Sequence, residues 1–137
     1  KKQKKLILGN LYSKRDWGHA EDYVEAMWKM IQHDSPTDWV VATGQTQSVK
    51  DFAKLAFENV DLNWEDYVVT SEKYFRPNEV EHLLGDPSKA KNELGWSPKT
   101  SFNELVKMMV EYDLNLAKRE QVLLKEGLIK PTWENPL

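Results

Sequence analysis

Leu6-Ile7-Leu8-Gly9-Asn10-Leu11-Tyr12-Ser13-Lys14-Arg15-Asp16-Trp17-Gly18-His19-Ala20 is the stretch that decides the fold of this 137-residue chain. Leu6 to Gly9 read as a short apolar strand, and Leu11 to Gly18 as a loop at its C-terminal end. From His19 to His33, Tyr23, Ala26, Met27, Met30 and Ile31 recur at three- and four-residue intervals, the spacing of a helix with one apolar face. Asp34-Ser35-Pro36 stops that helix. Strand, loop and helix in this order indicate an α/β fold, in which ligands bind where strand ends give way to loops.

The same punctuation continues downstream. Trp39-Val40-Val41-Ala42, within Asp38 to Gly44, reads as a buried strand, and Thr46 to Ser48 offers a helix cap before Val49, Phe52, Ala53, Ala56 and Phe57. Tyr67-Val68-Val69-Thr70 is a third strand. Leu83-Leu84-Gly85-Asp86 reads as a short strand leading into a helix, with Asp86 as its N-cap, Pro87 in its first turn and Gly95 at its end. Ser101 and Glu104 form a capping box that opens the last helix, whose apolar face is Leu105, Met108, Met109, Tyr112 and Leu116. The segment 118–137 is more polar and reads as a helix extension and tail, distinct from a ligand-binding portion spanning 1–117.

Two arginine motifs carry the chemistry. Arg15 lies in Arg15-Asp16-Trp17-Gly18-His19, and Arg76 in Tyr74-Phe75-Arg76-Pro77-Asn78-Glu79-Val80. An arginine fork donates two parallel hydrogen bonds to phosphate oxygens, so two forks from separate loops can clamp a diphosphate. Glu79 can accept from ribose hydroxyls, as the acidic residue of a dinucleotide site does, and Pro77 sets the backbone angle between the two groups. The competing reading is structural: Arg15-Asp16 as a surface ion pair, and Arg76-Pro77-Asn78-Glu79 as a turn with its own salt bridge.

Composition removes several alternatives. No cysteine is present, which excludes disulfides and thiolate metal sites and fits a cytoplasmic setting. A net charge of −3 gives no footprint for nucleic acid, and no apolar run is long enough for a membrane span. His19, His33 and His82 match no metal-ligand spacing; His19 and Asp16 read as residues that shape the loop presenting Arg15. The six tryptophans read mainly as core or interface anchors, with a base-stacking platform as the alternative.

Leu8-Gly9-Asn10-Leu11, Lys14 to Ala20 and Asp22-Tyr23-Val24-Glu25-Ala26-Met27-Trp28 together resemble the GDP-mannose 4,6-dehydratases. Ala42-Thr43-Gly44, Ser48-Val49, Tyr74 to Val80, Gly85 to Ala90 and Leu94 to Lys99 follow in the order and spacing of that family, from about Lys4 to about Leu116. These later motifs are shared by extended short-chain dehydrogenase/reductases acting on nucleotide sugars, whereas Leu8 to Trp28 is specific. The resemblance implies the C-terminal substrate-binding portion of such an enzyme, with short strands and packed helices. The intact family enzyme converts GDP-mannose to GDP-4-keto-6-deoxymannose, a lyase reaction in which NADP takes a hydride from C4 of the sugar and returns it to C6.

On the resemblance, Arg15 and Arg76 bind the GDP diphosphate, Glu79 binds the ribose, and Leu8, Gly9, Asn10 and Leu11 line the nucleotide pocket. Neither a glycine-rich dinucleotide fingerprint nor a Tyr-x-x-x-Lys occurs in the 137 residues. The expectation is therefore a chain that begins mid-fold, with no catalytic residue or cofactor site of its own. Its partner would be an N-terminal cofactor domain in the same or a separate polypeptide. Two alternatives stand beside this: a fragment of a related nucleotide-sugar epimerase or dehydratase, and a free-standing, non-catalytic nucleotide-sugar binding module. A chain lacking the cofactor half is expected to expose an apolar face, which self-association would cover.

Overall fold

The computed structural model describes residues 4–80 and 82–130. The elements run in the order β1 (Leu6–Leu8), β2 (Lys14–Arg15), α1 (Ala20–Ile31), β3 (Gln47–Ser48), α2 (Val49–Glu58), β4 (Val68–Thr70), α3 (Ser88–Glu93) and α4 (Phe102–Lys125), with 3-10 turns at Trp64–Asp66 and Glu72–Tyr74. β1 and β4 pair in parallel, Leu6 opposite Val68 and Leu8 opposite Thr70. Parallel partners need a long crossover, which here carries α1 and α2.

β2 lies within the stretch read as a loop, and this corrects that reading. Lys14 and Arg15 pair antiparallel with Ser48 and Gln47 of β3. On its other edge Lys14 bridges His82 in parallel, and its carbonyl accepts from Leu83 N–H at 3.2 Å. Arg15 therefore projects from a backbone held on both sides. The period-two signal was too short to show this in the sequence, because two residues contain no alternation to read.

The helices follow their caps. Ser48 and Asp51 form a capping box at α2, and Ser101 and Glu104 form the expected one at α4. Asp86 accepts from the N–H and hydroxyl of Ser88 at 2.9 and 2.5 Å, so α3 starts one residue later than its cap signal suggested. Gly95, at φ +62°, takes the left-handed conformation that turns the chain out of α3, and Trp96 N–H closes back on the Ala90 carbonyl. α4 runs without interruption through the 117/118 boundary to Lys125. The tail from Pro131, including Trp133, lies outside the described residues.

Ala26 of α1, Ala90 of α3 and Trp96 form the main core, with Tyr23, Met30, Trp39, Val41 and Leu94 packed around them. A second cluster joins the chain after β2 to two helices: Trp17 stacks on Phe102 and meets Phe52 edge-on, with ring centroids 6.0 and 5.3 Å away. Two strand readings are corrected. Trp39–Ala42 has no regular secondary structure: Trp39 and Val41 pack on the core, but the segment forms no ladder with the described residues. Leu83–Asp86 contributes no strand beyond the bridge at His82. Both segments carry the apolar run on which the strand reading rested; a strand also needs a neighbour, which a run of residues cannot supply. The apolar face read for α1 divides as well: Tyr23, Ala26 and Met30 pack inward, whereas Met27 and Ile31 are exposed.

Candidate functional site

The C-terminal end of β1 meets the segment after β4. The Leu8 carbonyl accepts from Ser71 N–H at 2.9 Å, and Gly9 lies so close to the Tyr74 carbonyl that a Cβ would collide with its oxygen. That close approach requires glycine at position 9. Asn10 folds back to accept from Tyr12 N–H at 2.9 Å, and the Leu11 carbonyl accepts from Lys50 N–H at 2.8 Å in the first turn of α2. Leu8, Gly9, Asn10 and Leu11 thus form one edge of a tight junction whose other edge is the 71–75 segment.

Across this junction Arg15 reaches the second motif. One terminal nitrogen, Nη1, donates to the carbonyls of Lys14 and Val80, both at 2.7 Å, and Nη2 donates to Glu79 Oε1 in an ion pair. The pair spans 64 residues of sequence, and the side chains keep 21% and 19% of their exposure. It is neither the Arg15-Asp16 pair nor the local Arg76-Glu79 turn of the structural alternative. Three of the five guanidinium hydrogens are engaged. Nε–H and one Nη2–H have no acceptor among the described residues, nor has Glu79 Oε2 a donor. Arg76 is exposed on the turn beside Pro77 and Asn78, and among the described residues it is not joined to Arg15. The structure therefore brings Arg15 and Glu79 together, and leaves Arg76 three residues along the same loop.

Asp16 anchors the arginine's backbone. Its carboxylate accepts from Thr43 N–H at 2.9 Å, Thr43 hydroxyl at 2.6 Å, Gly44 N–H at 3.0 Å and Gly85 N–H at 3.3 Å. Three chain segments meet on this group. Sequence reading assigned Asp16 a loop-shaping role but missed Thr43, Gly44 and Gly85; the small residues at 44 and 85, each placed just after an apolar run, were the available signal. A Cβ at Gly85 would collide with that of Ala42, so the 85 segment can approach Asp16 only as glycine.

Asp22 performs the parallel task at the start of α1. It is buried, and Oδ2 accepts from the N–H groups of Lys99 and Thr100 at 3.2 and 3.0 Å, while its carbonyl accepts from the Trp96 indole at 2.7 Å. Burial pushes its pKa up, but the Thr100 and Lys99 hydrogen bonds and the nearby His19 outweigh it, so the carboxyl sits below its usual range. Burial, reinforced by the charges of Asp16 and Asp22, pushes the Tyr23 phenol up and keeps it protonated. Among the described residues no three His, Cys, Asp or Glu side chains gather to hold a metal, and no helix is long and apolar enough to cross a membrane.

A separate cavity of about 230 Å³ is lined by Trp17, Gln45, Gln47 and Lys99 among others, and by none of Arg15, Arg76 or Glu79. Trp17 already stacks on Phe102 there, so it serves as an anchor. The paired Arg15 and Glu79, with unassigned donors and an unassigned acceptor side by side, have the chemistry that a phosphate and a sugar hydroxyl require.

The chain is 57% identical over 125 residues to GDP-mannose 4,6 dehydratase 1 of Arabidopsis thaliana, covering 91% of this chain and 35% of the relative. It is 44% identical over 128 residues to the human GDP-mannose 4,6 dehydratase, covering 81% and 34%. It thus spans about a third of the length of the curated relatives it matches. Among solved structures, a UDP-glucose 4-epimerase from Thermotoga maritima with UDP-glucose superposes at a TM-score of 0.71 with 26% identity, covering 82% of this chain and 36% of that one. RMD from Pseudomonas aeruginosa complexed with NADPH shares the fold at a TM-score of 0.70 and 17% identity, over 79% and 35%. The fold is thus that of a part of the extended short-chain dehydrogenase/reductases. With the model for GDP-mannose 4,6 dehydratase matching residues 1–109, the chain belongs to the GDP-mannose 4,6-dehydratase family.

Proposed function

We propose that this chain supplies the nucleotide-binding end of a GDP-mannose 4,6-dehydratase site, and that the remainder of the dehydratase length supplies the reacting groups. The observation that carries this reading is the meeting of Arg15 with Glu79 beside the end of β1, with Arg76 on the same loop. Arg15 directs its remaining hydrogens to the diphosphate, Arg76 closes on it from the exposed side, and Glu79 Oε2 accepts from the ribose. Leu8 to Leu11 form the floor. Binding energy gathered at the nucleotide also orients the sugar for chemistry elsewhere, so its loss lowers turnover as well as affinity.

The β3–α2 junction does not fit the pyrophosphate of NADP, the cofactor that the family resemblance implies. The strand-to-helix junction from β3 to α2 carries no glycine-rich turn, and the Asp51 carboxylate caps its N-terminus through Ser48. A pyrophosphate placed there would meet a carboxylate. No step of the reaction is therefore assigned to a cofactor held by this chain.

Calorimetric titration with GDP, UDP and dTDP tests the reading. Charge-assisted hydrogen bonds contribute about 1.5–3 kcal/mol each, so Arg15→Ala or Arg76→Ala should weaken GDP binding about ten- to a hundredfold. Unchanged affinity in both variants would remove the arginines from the site. GDP binding no tighter than UDP would favour a related nucleotide-sugar epimerase, the class of the Thermotoga maritima structure.

A further inference from the structure

The cavity beside Trp17 has a wall whose polar groups fall into two sets, those already engaged within the chain and those left open. Its volume of about 230 Å³ lies below the range that drug-sized ligands occupy, and it has room for a single small ring. Each charged or hydroxyl side chain lining it has a partner. The Lys99 ammonium pairs with Glu25, and the Thr43 hydroxyl donates to Asp16 at 2.6 Å. The Ser101 hydroxyl donates to Glu104 at 2.6 Å in the α4 cap, and the Thr100 side chain bonds Asp22.

The groups left open are neutral. The side-chain carboxamides of Gln45 and Gln47, and the Trp17 indole N–H, have no hydrogen-bond partner among the described residues. Each carboxamide sets an acceptor oxygen beside N–H donors, and so matches a hydroxyl, which both gives and takes a hydrogen bond. Trp17, Phe102 and Pro98 add apolar surface to the same cavity. An anion would find no open cation on this wall, and a cation no carboxylate. A flat base stacks on an open ring face, but Trp17 and Phe102 already turn faces to each other, with planes 20° apart. A sugar ring, with hydroxyls on its rim and C–H groups on its faces, meets both kinds of surface.

We propose that this cavity is a separate binding site, and that it takes a neutral monosaccharide. Gln45 and Gln47 hold the hydroxyls of the sugar, and Trp17, Phe102 and Pro98 lie against its C–H groups. The site shares supports with the nucleotide end. Gln47 stands opposite Arg15 in the β2–β3 ladder, and Thr43 both lines the cavity and binds the Asp16 carboxylate that anchors Arg15. It shares none of the ligand groups: Arg15, Arg76 and Glu79 are all outside it, so it stands whether or not the chain binds GDP.

The test is a titration of the isotope-labelled 137-residue chain with D-mannose, D-glucose and D-galactose, each to about 100 mM because ligands of this size bind weakly. It is read by nuclear magnetic resonance at the side-chain amides of Gln45 and Gln47 and the indole of Trp17. At least one hexose should shift all three signals along one saturable curve, while the amides of Gln32 and Gln121 stay in place. Gln45→Ala and Gln47→Ala should each weaken that binding about five- to tenfold, as loss of a hydrogen bond does. Neither side chain bonds within the chain, so both variants should keep the wild-type backbone spectrum. Lys118→Ala, at an exposed position of α4, should leave binding unchanged. Absence of saturable shifts with all three sugars, or unchanged binding in both glutamine variants, would overturn the proposal. Inorganic phosphate or adenosine moving the same three signals at lower concentration than any hexose would overturn it too, by assigning the cavity to an anion or a base. Calorimetric GDP titration reads the other site: hexose binding without GDP binding counts against the nucleotide reading alone, and GDP binding without hexose binding counts against this cavity alone.

Discussion

Two aspartates show how single residues hold the site. Asp16 and Asp22 stand six positions apart, and each spends its carboxylate on backbone N–H groups from distant segments instead of on a nearby cation. Hydrogen bonds to a charged acceptor contribute about 1.5–3 kcal/mol each, and leaving the donors buried without it costs a comparable amount. Asp22 makes this visible in pH. Its folded pKa lies below the ordinary 3.8, so its stabilisation is fully present above that value and is lost as pH falls through the folded pKa. In acid titrations followed by tryptophan fluorescence, wild type should be more stable than Asp22→Asn at neutral pH, and the gap should close below about pH 4. A gap that persists unchanged to pH 2 would show that charge contributes nothing there.

At the scale of elements, helices and strands were legible to different degrees for a physical reason. A helix satisfies its hydrogen bonds within itself, so spacing and caps located both ends of α1 and the starts of α2 and α4 to within about two residues. Ser48 is the clearest instance. Its hydroxyl accepts from Asp51 N–H at 3.0 Å, while the Asp51 side chain accepts from Ser48 N–H at 3.0 Å and is held below its ordinary pKa range by the Ser48 hydroxyl and N–H. Ser48→Ala should therefore cost about 1 kcal/mol in urea melts, and Ser48→Thr, which keeps a hydroxyl that both accepts from Asp51 N–H and donates to its carboxylate, should recover most of it. Strands borrow their partners. Leu6–Leu8 and Val68–Thr70 found each other, whereas Trp39–Ala42 carries an equally good strand sequence and has no ladder among the described residues.

For the molecule as a whole, stability rests on a few close approaches that join distant segments. Trp96, 1% exposed, fills the space between α1 and α3 and donates its indole N–H to the Asp22 carbonyl. Trp96→Ala should destabilise the fold by about 3–5 kcal/mol, the usual range for removing a buried aromatic. Gly85 works in the opposite sense, because added volume there would strike Ala42. Gly85→Ala should cost about 1–3 kcal/mol in thermal melts and loosen the Asp16 anchor, so GDP affinity should fall with stability. A variant as stable as wild type would show that the 85 segment yields without strain.

The sequence by itself determined the α/β class, the helix starts and the family, and it offered Arg15, Arg76 and Glu79 as candidates for a site. Local spacing, caps and motif order are written in consecutive residues and need no partner to be read. Only the tertiary structure decided that Arg15 meets Glu79 instead of Asp16, that Asp16 binds Thr43, Gly44 and Gly85, and that half of α1's apolar surface stays uncovered. Each of these is a contact between groups dozens of residues apart. Such contacts are selected by backbone pairing and packing geometry, which residue types permit but do not specify.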